Sequence, residues 1–496
     1  MHNFDSLITV CDFLENSARN FSDKTGLIFE DKEFNYREIK KQSDLIRDFL
    51  IKKTNKGDVV AIFLPNIPEI IFSYFGTLSS GCTVLLVPTN ISDKNLIFQI
   101  KKIKPRFIIS QNKYNGKFKR VGISAENIID IDYISNEKSV CIEKRIVNPE
   151  DPSTIMFTSG TTGEPKGVKL KHQNVVSATK NIIHFLNWNS EDLDVNILPL
   201  CHSFGLGNIH CAFAVGATTI LFRDAINLKK IIRVIVEKKV TTFASVPAIL
   251  RLIVDNYMSE FKECGRFLRF VQTNTSFLEE ELIKKIINVL PNTDLYYYYG
   301  LTEASRSTFI ALNKNLGKIK SVGRPLDGVD LKIIDTKGNT LGPMNIGRIC
   351  IKGNHVIEEY WDNKEASLEI KNGWLCTGDA GFLDKDGFLY FFGRNDDIIN
   401  VSGEKVMPEE IEEIARNFPG VKEAVAVGVA DNILGERVKL FVVPSNDVFN
   451  KNLLLEKIKK NLENYKIPKE ISIIDKVFYT DNGKIQRNKV RDYYAK

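Results

Sequence analysis

The segment Thr158-Ser159-Gly160-Thr161-Thr162-Gly163-Glu164-Pro165-Lys166-Gly167-Val168 packs four hydroxyls and three glycines into eleven residues. Glycines let backbone N–H groups approach an anion closely, and Lys166 adds a point charge. That chemistry suits a polyphosphate. No Gly-Lys-Ser/Thr follows at the spacing of a Walker A loop, so the cradle is of another kind. Further along, Tyr299 closes an apolar run, where its ring can stack on a base. Thr302 can donate to a phosphate, and Glu303 is an oxygen ligand suited to Mg²⁺, which takes one or two carboxylates and keeps several waters. Asp379 follows Gly378 at a turn, as a carboxylate gripping vicinal ribose hydroxyls would, and Arg394 could bond the same sugar. Taken singly, each has a plainer reading. Residues 296–299 also read as an aromatic strand, Asp379 as a turn aspartate, His202 as a core histidine, and Lys484 as a solvated lysine in an Asn-Gly turn.

The elements that must position these residues follow from periodicity. An apolar strand, 155–157, leads into the hydroxyl-rich loop, and a strand-like run, 168–171, leaves it. Over the first 300 residues, short β-rich runs alternate with helical ones. Strands are expected at 59–64, 83–87, 107–110, 241–245 and 295–299, and helices at 68–80, 228–237 and 279–290, the first opened by Pro68. Such alternation predicts α/β layers with largely parallel sheets buried on both faces. After about residue 315 the runs at 329–335, 348–352 and 388–392, joined by Gly-containing turns, predict an antiparallel β subdomain. Beyond 394, a proline-led helix from Pro408, strands at 421–429 and 438–443, and a helix at 452–464 predict a compact α+β unit of ~100 residues.

Length and composition agree. At about 150 residues per domain, 496 residues predict two to four domains. Lys and Arg number 68 against 62 Asp and Glu, a net charge of +6 spread thinly, and no basic block is interleaved with aromatics, so nucleic acid is not an expected partner. The eight cysteines are widely spaced without C-x-x-C or zinc-finger patterns, which predicts reduced thiols in a cytoplasmic protein. The first residues lack a basic region followed by an apolar core, so no secretory signal is expected. The two uncharged stretches, 70–92 and 195–222, are punctuated by Gly and Pro and predict buried strands and helices rather than a membrane span.

The loop at 158–168 resembles the phosphate-loop signature of the AMP-forming acyl-CoA synthetases, the superfamily that also holds peptide-synthetase adenylation domains and luciferases. The resemblance continues in order along nearly the whole chain. Leu198-Pro199-Leu200-Cys201-His202-Ser203-Phe204-Gly205 is similar to the acyl-pocket histidine segment, and Tyr299-Gly300-Leu301-Thr302-Glu303 to the adenine and magnesium motif. Thr377-Gly378-Asp379 and Gly393-Arg394-Asn395-Asp396-Asp397 resemble the ribose and hinge motifs. Asn482-Gly483-Lys484-Ile485-Gln486-Arg487 resembles the catalytic-lysine motif.

The resemblance implies a large N-terminal AMP-binding domain, residues 1–393, and a small mobile lid domain, 394–496, that carries Lys484. It implies ATP, Mg²⁺ and either CoA or a carrier-protein phosphopantetheine as partners of a carboxylic acid. ATP and AMP would be met by Thr158, Ser159, Gly160, Thr161, Thr162, Gly163 and Lys166, by Tyr299, Gly300, Thr302 and Glu303, and by Asp379, Arg394, Lys405 and Lys484. Lys484, Lys166, Glu303 and His202 would be catalytic, Glu303 the metal ligand, and Asp396 the hinge. Ser402 and Gly403 would flank the thiol, and His202, Phe204, Gly205, Asn274 and Thr275 would line the acyl pocket.

Two segments depart from the family pattern. Thr273-Asn274-Thr275-Ser276-Phe277-Leu278 replaces a small Ser-Gly-Gly-Ala-Pro-Leu run, which bears on substrate size. Gly347-Arg348-Ile349 replaces Gly-Glu-Ile and is expected to alter surface charge only. Three activities remain open at this point: an acyl-CoA synthetase, a ligase loading a carrier protein, and a non-catalytic nucleotide or acyl binder. Residues 200–208 hold no aspartate to pair an α-ammonium, so an aliphatic or aryl acid without an α-amino group is the expected substrate.

Overall fold

The computed structural model describes residues 4–135, 143–158, 164–274, 278–402, 404–431, 434–445, 449–479 and 485–494. Two compact units are present, one built from Met1–Thr158, Pro165–Asp330 and Ile351–Leu375, the other including Leu331–Cys350 and Cys376–Lys496.

The first unit contains two α/β sheets. One has the strand order Ile128–Asp130, Phe107–Ser110, Val59–Ile62, Thr83–Leu86, Pro152–Thr158, Lys166–Lys171, parallel except for the last pair. Val59–Ile62 and Thr83–Leu86 are buried at every position, as strands covered on both faces must be. The other sheet orders Arg324–Pro325, Thr308–Ala311, Asp294–Tyr299, Phe270–Thr273, Thr242–Ala244, Leu193–Asn196, Thr218–Leu221, Thr25–Phe29, Lys32–Asn35. Its parallel centre and antiparallel margins fit the expected α/β class.

Local chemistry sets the helix starts. Pro68, Pro247 and Pro408 each open a helix, where a missing N–H costs nothing. Asn35 caps Tyr36–Ile51 through a reciprocal pair with Glu38, at 2.8 and 2.9 Å. The helix Leu228–Glu237 has the expected bounds, and Pro68–Ser79 and Glu280–Val289 fall within one residue of theirs. The expected helix at 452–464 ends earlier, as Lys451–Asn461, followed by a short turn Asn464–Lys466.

In the second unit, Gly435–Pro444 pairs with Val421–Asp431 and Ile399–Val401 antiparallel and with Glu470–Ile473 parallel. Val406, Ile411, Ala426, Leu440, Leu454 and Ile458 pack between this sheet and the helices Pro408–Arg416 and Lys451–Asn461. The strands expected at 329–335, 348–352 and 388–392 are present as Asp330–Ile334, Gly347–Lys352 and Leu389–Arg394, and Trp374–Leu383, not among the expected runs, pairs antiparallel with the last of them.

Two expectations are corrected here. Cys350 and Cys376 form a disulfide, with Cα atoms 4.1 Å apart; residues 26 apart in sequence become neighbours only when the strands pair, so spacing gave no sign of it. Arg348 is not a surface charge alone: its Nε donates to the Thr377 carbonyl at 2.5 Å and Nη2 to that of Cys376 at 2.6 Å. It thereby ties down the strand that carries Asp379.

Candidate functional site

Thr158 and Lys166 are opposite each other across the antiparallel pair that brackets the hydroxyl-rich loop. Ser159, Gly160, Thr161, Thr162 and Gly163 lie outside the described residues. From its strand end, Lys166 Nζ lies 5.4 Å from the centroid of the Tyr360 ring. The Tyr360 hydroxyl donates to Glu303 Oε1 at 3.0 Å. One aromatic side chain therefore links the cation of the loop to the carboxylate of the Thr302-Glu303 turn. The sequence offered no sign of Tyr360, because its place comes from a loop remote in the chain.

Glu303 belongs to a tight turn in which Leu301 and Ala304 exchange backbone hydrogen bonds. Gly300 is required there, since a Cβ would sit 2.3 Å from the Arg306 nitrogen. Tyr299 is 6% exposed. No group of three His, Cys, Asp or Glu side chains placed to hold a metal ion exists among the described residues. A single carboxylate tied through Tyr360 to Lys166 fits Mg²⁺, which relies on phosphates and waters for its remaining ligands.

The acyl-pocket segment runs from His202 into the helix Ser203–Val215. His202 is the residue before that helix, and burial lowers the pKa of its imidazole. Phe204 packs edge-on against Tyr298, with centroids 5.4 Å apart. Gly205 leaves room for the chain itself, because a Cβ there would meet the Pro199 carbonyl at 2.6 Å. Asn274 is buried with Oδ1 unpartnered, and Thr275 lies outside the described residues.

Three features around this segment, a histidine, an amide pair and an arginine, were not singled out in the sequence. His355 is buried, its Nε2 2.9 Å from Ser307 Oγ, and burial lowers its pKa to about 4. Asn208 and Gln272 meet side chain to side chain at 3.1 Å. Arg306 is the third, and its one signal was a lone charge in an otherwise small and apolar run, 304–311.

In the second unit, Asp379 and Arg394 are register partners across two antiparallel strands, with Nη1 to Oδ1 at 3.4 Å. The Asp379 N–H donates to Thr377 Oγ1 at 3.1 Å. The intervening Gly378 accommodates the guanidinium, since a Cβ would stand 2.2 Å from Arg394 Nη2. Asp396 is exposed in the short turn Asn395–Asp397. Ser402 is exposed with φ +53°, and Lys405 Nζ donates to the Ile346 carbonyl at 3.3 Å. Gly403 and Lys484 lie outside the described residues. Near Lys484 in sequence, Arg487 meets Glu409, Glu412 and Asp397 at 2.8, 2.9 and 3.2 Å.

Residues 14–361 match the family described as AMP-binding enzyme, and 410–484 match its C-terminal domain. The chain belongs to the AMP-binding enzyme family. It is 28% identical to an oxalate–CoA ligase of Arabidopsis thaliana, over 98% of each chain. It is 26% identical to a long-chain-fatty-acid–CoA ligase of Escherichia coli O6:H1, over 99% of this chain and 95% of that one. The solved o-succinylbenzoate CoA synthetase of Bacillus subtilis, in complex with its acyl-adenylate intermediate, superposes with a TM-score of 0.90 at 26% identity, covering 97% and 98% of the two chains. The same synthetase has been solved with ATP and a magnesium ion. The resemblance read from the motifs is thus borne out: the chain is an adenylate-forming acid–CoA ligase by family, with that family's α/β architecture. Among the described residues, no helix is long and apolar enough to cross a membrane.

Proposed function

We propose that this AMP-binding enzyme activates a carboxylic acid with ATP and passes the acyl group to CoA. The carrying observation is the Lys166–Tyr360–Glu303 arrangement, which holds a cation and a carboxylate in one connected set. In the first half-reaction a carboxylate oxygen attacks the α-phosphorus, and the bond to pyrophosphate breaks. Residues 158–163 and Lys166 would hold the polyphosphate and offset its growing charge. Glu303 would hold Mg²⁺, which supplies charge neutralisation at the phosphates when bound. Asp379 and Arg394, prepaired on adjacent strands, would take the ribose hydroxyls, and Lys484 would serve adenylation. In the second half-reaction the sulfur attacks the acyl carbon, AMP leaves, and the thiol proton passes to solvent. Ser402, Gly403 and Lys405 would serve this step, with Asp396 as the hinge of a lid beginning near 394. That boundary falls between the two family-matched segments.

The acid is an aliphatic or aryl acid without an α-amino group. Residues 200–208 offer no carboxylate for an ammonium, whose unpaired burial would cost several kcal/mol. Relatives named for oxalate, long-chain fatty acids and 2-succinylbenzoate span too wide a range to choose among acids. The test is ATP–pyrophosphate exchange over a panel of acids, followed by thioester formation with CoA. Exchange with an acid of this class and thioester with CoA are expected. Robust exchange with a standard amino acid alone would overturn the reading.

A further inference from the structure

Arg306 is 2% exposed, and its backbone holds the left-handed region at φ +53°. Its Nη2 donates to the Phe204 carbonyl at 3.1 Å and to Asn208 Oδ1 at 2.9 Å, while Nε is buried with no partner. Among the described residues it has no ion pair with a carboxylate. A buried guanidinium without a countercharge is strongly disfavoured unless something else compensates it. The faces of Phe204 and Tyr298, each with its centroid 5.3 Å from the guanidinium carbon, compensate part of that cost.

The surroundings are unfinished in the same sense. Asn208 Nδ2 and Gln272 Oε1 are also buried without partners. Helix position 207 is bare, and a Cβ there would come within 2.2 Å of Arg306 Nη1. With Ser203, Gly207 and Thr302, Arg306 lines a cavity of about 30 Å³, enough for about two waters. The carboxyl whose charge is felt at Arg306 without pairing it is Asp194, which accepts from Thr242 Oγ1 and whose pKa burial raises to about 7.

We infer that Arg306 reads a second carboxylate on the acid substrate, at the end away from the carboxylate that is adenylated. A carboxylate would supply the missing ion-pair partner and accept from the Arg306 guanidinium. The size of the cavity favours a compact anionic end over an alkyl chain. The inference rests on the acid-activation reading and narrows it to dicarboxylic acids on a short aliphatic or aryl spacer.

The test is ATP–pyrophosphate exchange with matched pairs: succinate against butyrate, glutarate against valerate, and isophthalate against benzoate. The wild-type enzyme should show kcat/KM at least tenfold higher for the diacid of one or more pairs. Arg306→Met should cut the diacid-to-monoacid ratio at least tenfold, chiefly through KM, and Arg306→Lys should restore part of it. Gln272→Glu keeps the arginine but places a carboxylate beside it, and should lower the same ratio. A purely structural arginine would instead lower exchange with both members of a pair alike. A wild-type preference for every monoacid, or an unchanged ratio in the variants, would overturn the inference and leave acid activation standing. Exchange with no acid at all would overturn the proposed function itself.

Discussion

The Tyr360 hydroxyl donates to Glu303 Oε1 at 3.0 Å while its ring lies beneath Lys166 Nζ. Each half of that contact constrains the other. A carboxylate held by a phenol keeps one preferred rotamer, and a lysine over an aromatic face loses some of its freedom before any phosphate arrives. Residues of the loop and of the Thr302-Glu303 turn, more than a hundred positions apart in sequence, are thereby kept in register by a third segment.

Tyr360→Phe should separate the two halves, keeping the ring beneath Lys166 and removing the bond to Glu303. A hydrogen bond to a charged group contributes about 1.5 kcal/mol, so kcat for pyrophosphate exchange should fall roughly tenfold. The Mg²⁺ concentration giving half-maximal exchange should rise. Tyr360→Leu should cost more, because the ring goes as well. Magnesium titrations of exchange for both variants would check this, and an unchanged requirement in both would refute the link.

Gly378→Ala tests the ribose clamp. Its Cβ would stand 2.2 Å from Arg394 Nη2 and 2.4 Å from Cζ, so the guanidinium must move off Asp379. The KM for ATP should rise about tenfold or more with the melting temperature little changed, since the clash is with a side-chain end. Steady-state kinetics at saturating acid would show it.

How much of this was legible beforehand depends on the reach of each signal. Strand 107–110 and helix 228–237 were readable to the residue, because alternation, turn residues and caps are local properties. Lys166, Glu303, Asp379 and Arg394 were legible through contiguous motifs. Tyr360, His355 and Gln272 were not, because each is a common residue whose meaning comes from a partner on another element. The Cys350–Cys376 bond and the grip of Arg348 on residues 376 and 377 share that cause. Arg306 lay beside a recognised motif, yet burial is what makes its charge informative. In sequence an arginine among serines reads as surface.

Asp194 gives a prediction in pH. It is fully buried, accepts from Thr242 Oγ1 at 2.9 Å, and burial pushes its pKa from 3.8 up to about 7. A folded-state pKa above the unfolded one means the native state holds the extra proton. Its stabilising share is therefore complete below about pH 4 and lost as pH rises through about 7. Asp194→Asn should remove that loss. The difference in melting temperature between variant and wild type should favour the variant more at pH 8 than at pH 5, the buried histidines common to both cancelling. A difference independent of pH would show that Asp194 does not titrate in this range.

Arg487 gives the last prediction, because it holds together three acids that repel one another. Its guanidinium meets Glu409, Glu412 and Asp397 within 3.2 Å. Even so, burial and these neighbours raise Glu409 to about 7, and burial raises Asp397 as well. Arg487→Met leaves buried carboxylates without their cation, a loss of about 3–5 kcal/mol by comparison with other broken buried pairs. Without the cation the pKa values of Glu409 and Asp397 rise further, so the variant binds protons more tightly in the folded state. Its deficit should therefore shrink as pH falls from 8 toward 5.5, as these two carboxyls take up protons. Denaturant titrations of the whole chain at these two pH values would check this. Adding Glu409→Gln to Arg487→Met should recover part of the lost stability at pH 8, where that carboxyl is otherwise ionised, and little at pH 5.5. Equal deficits at both pH values, with no rescue by Glu409→Gln, would show that Arg487 acts by packing its aliphatic stem rather than by charge.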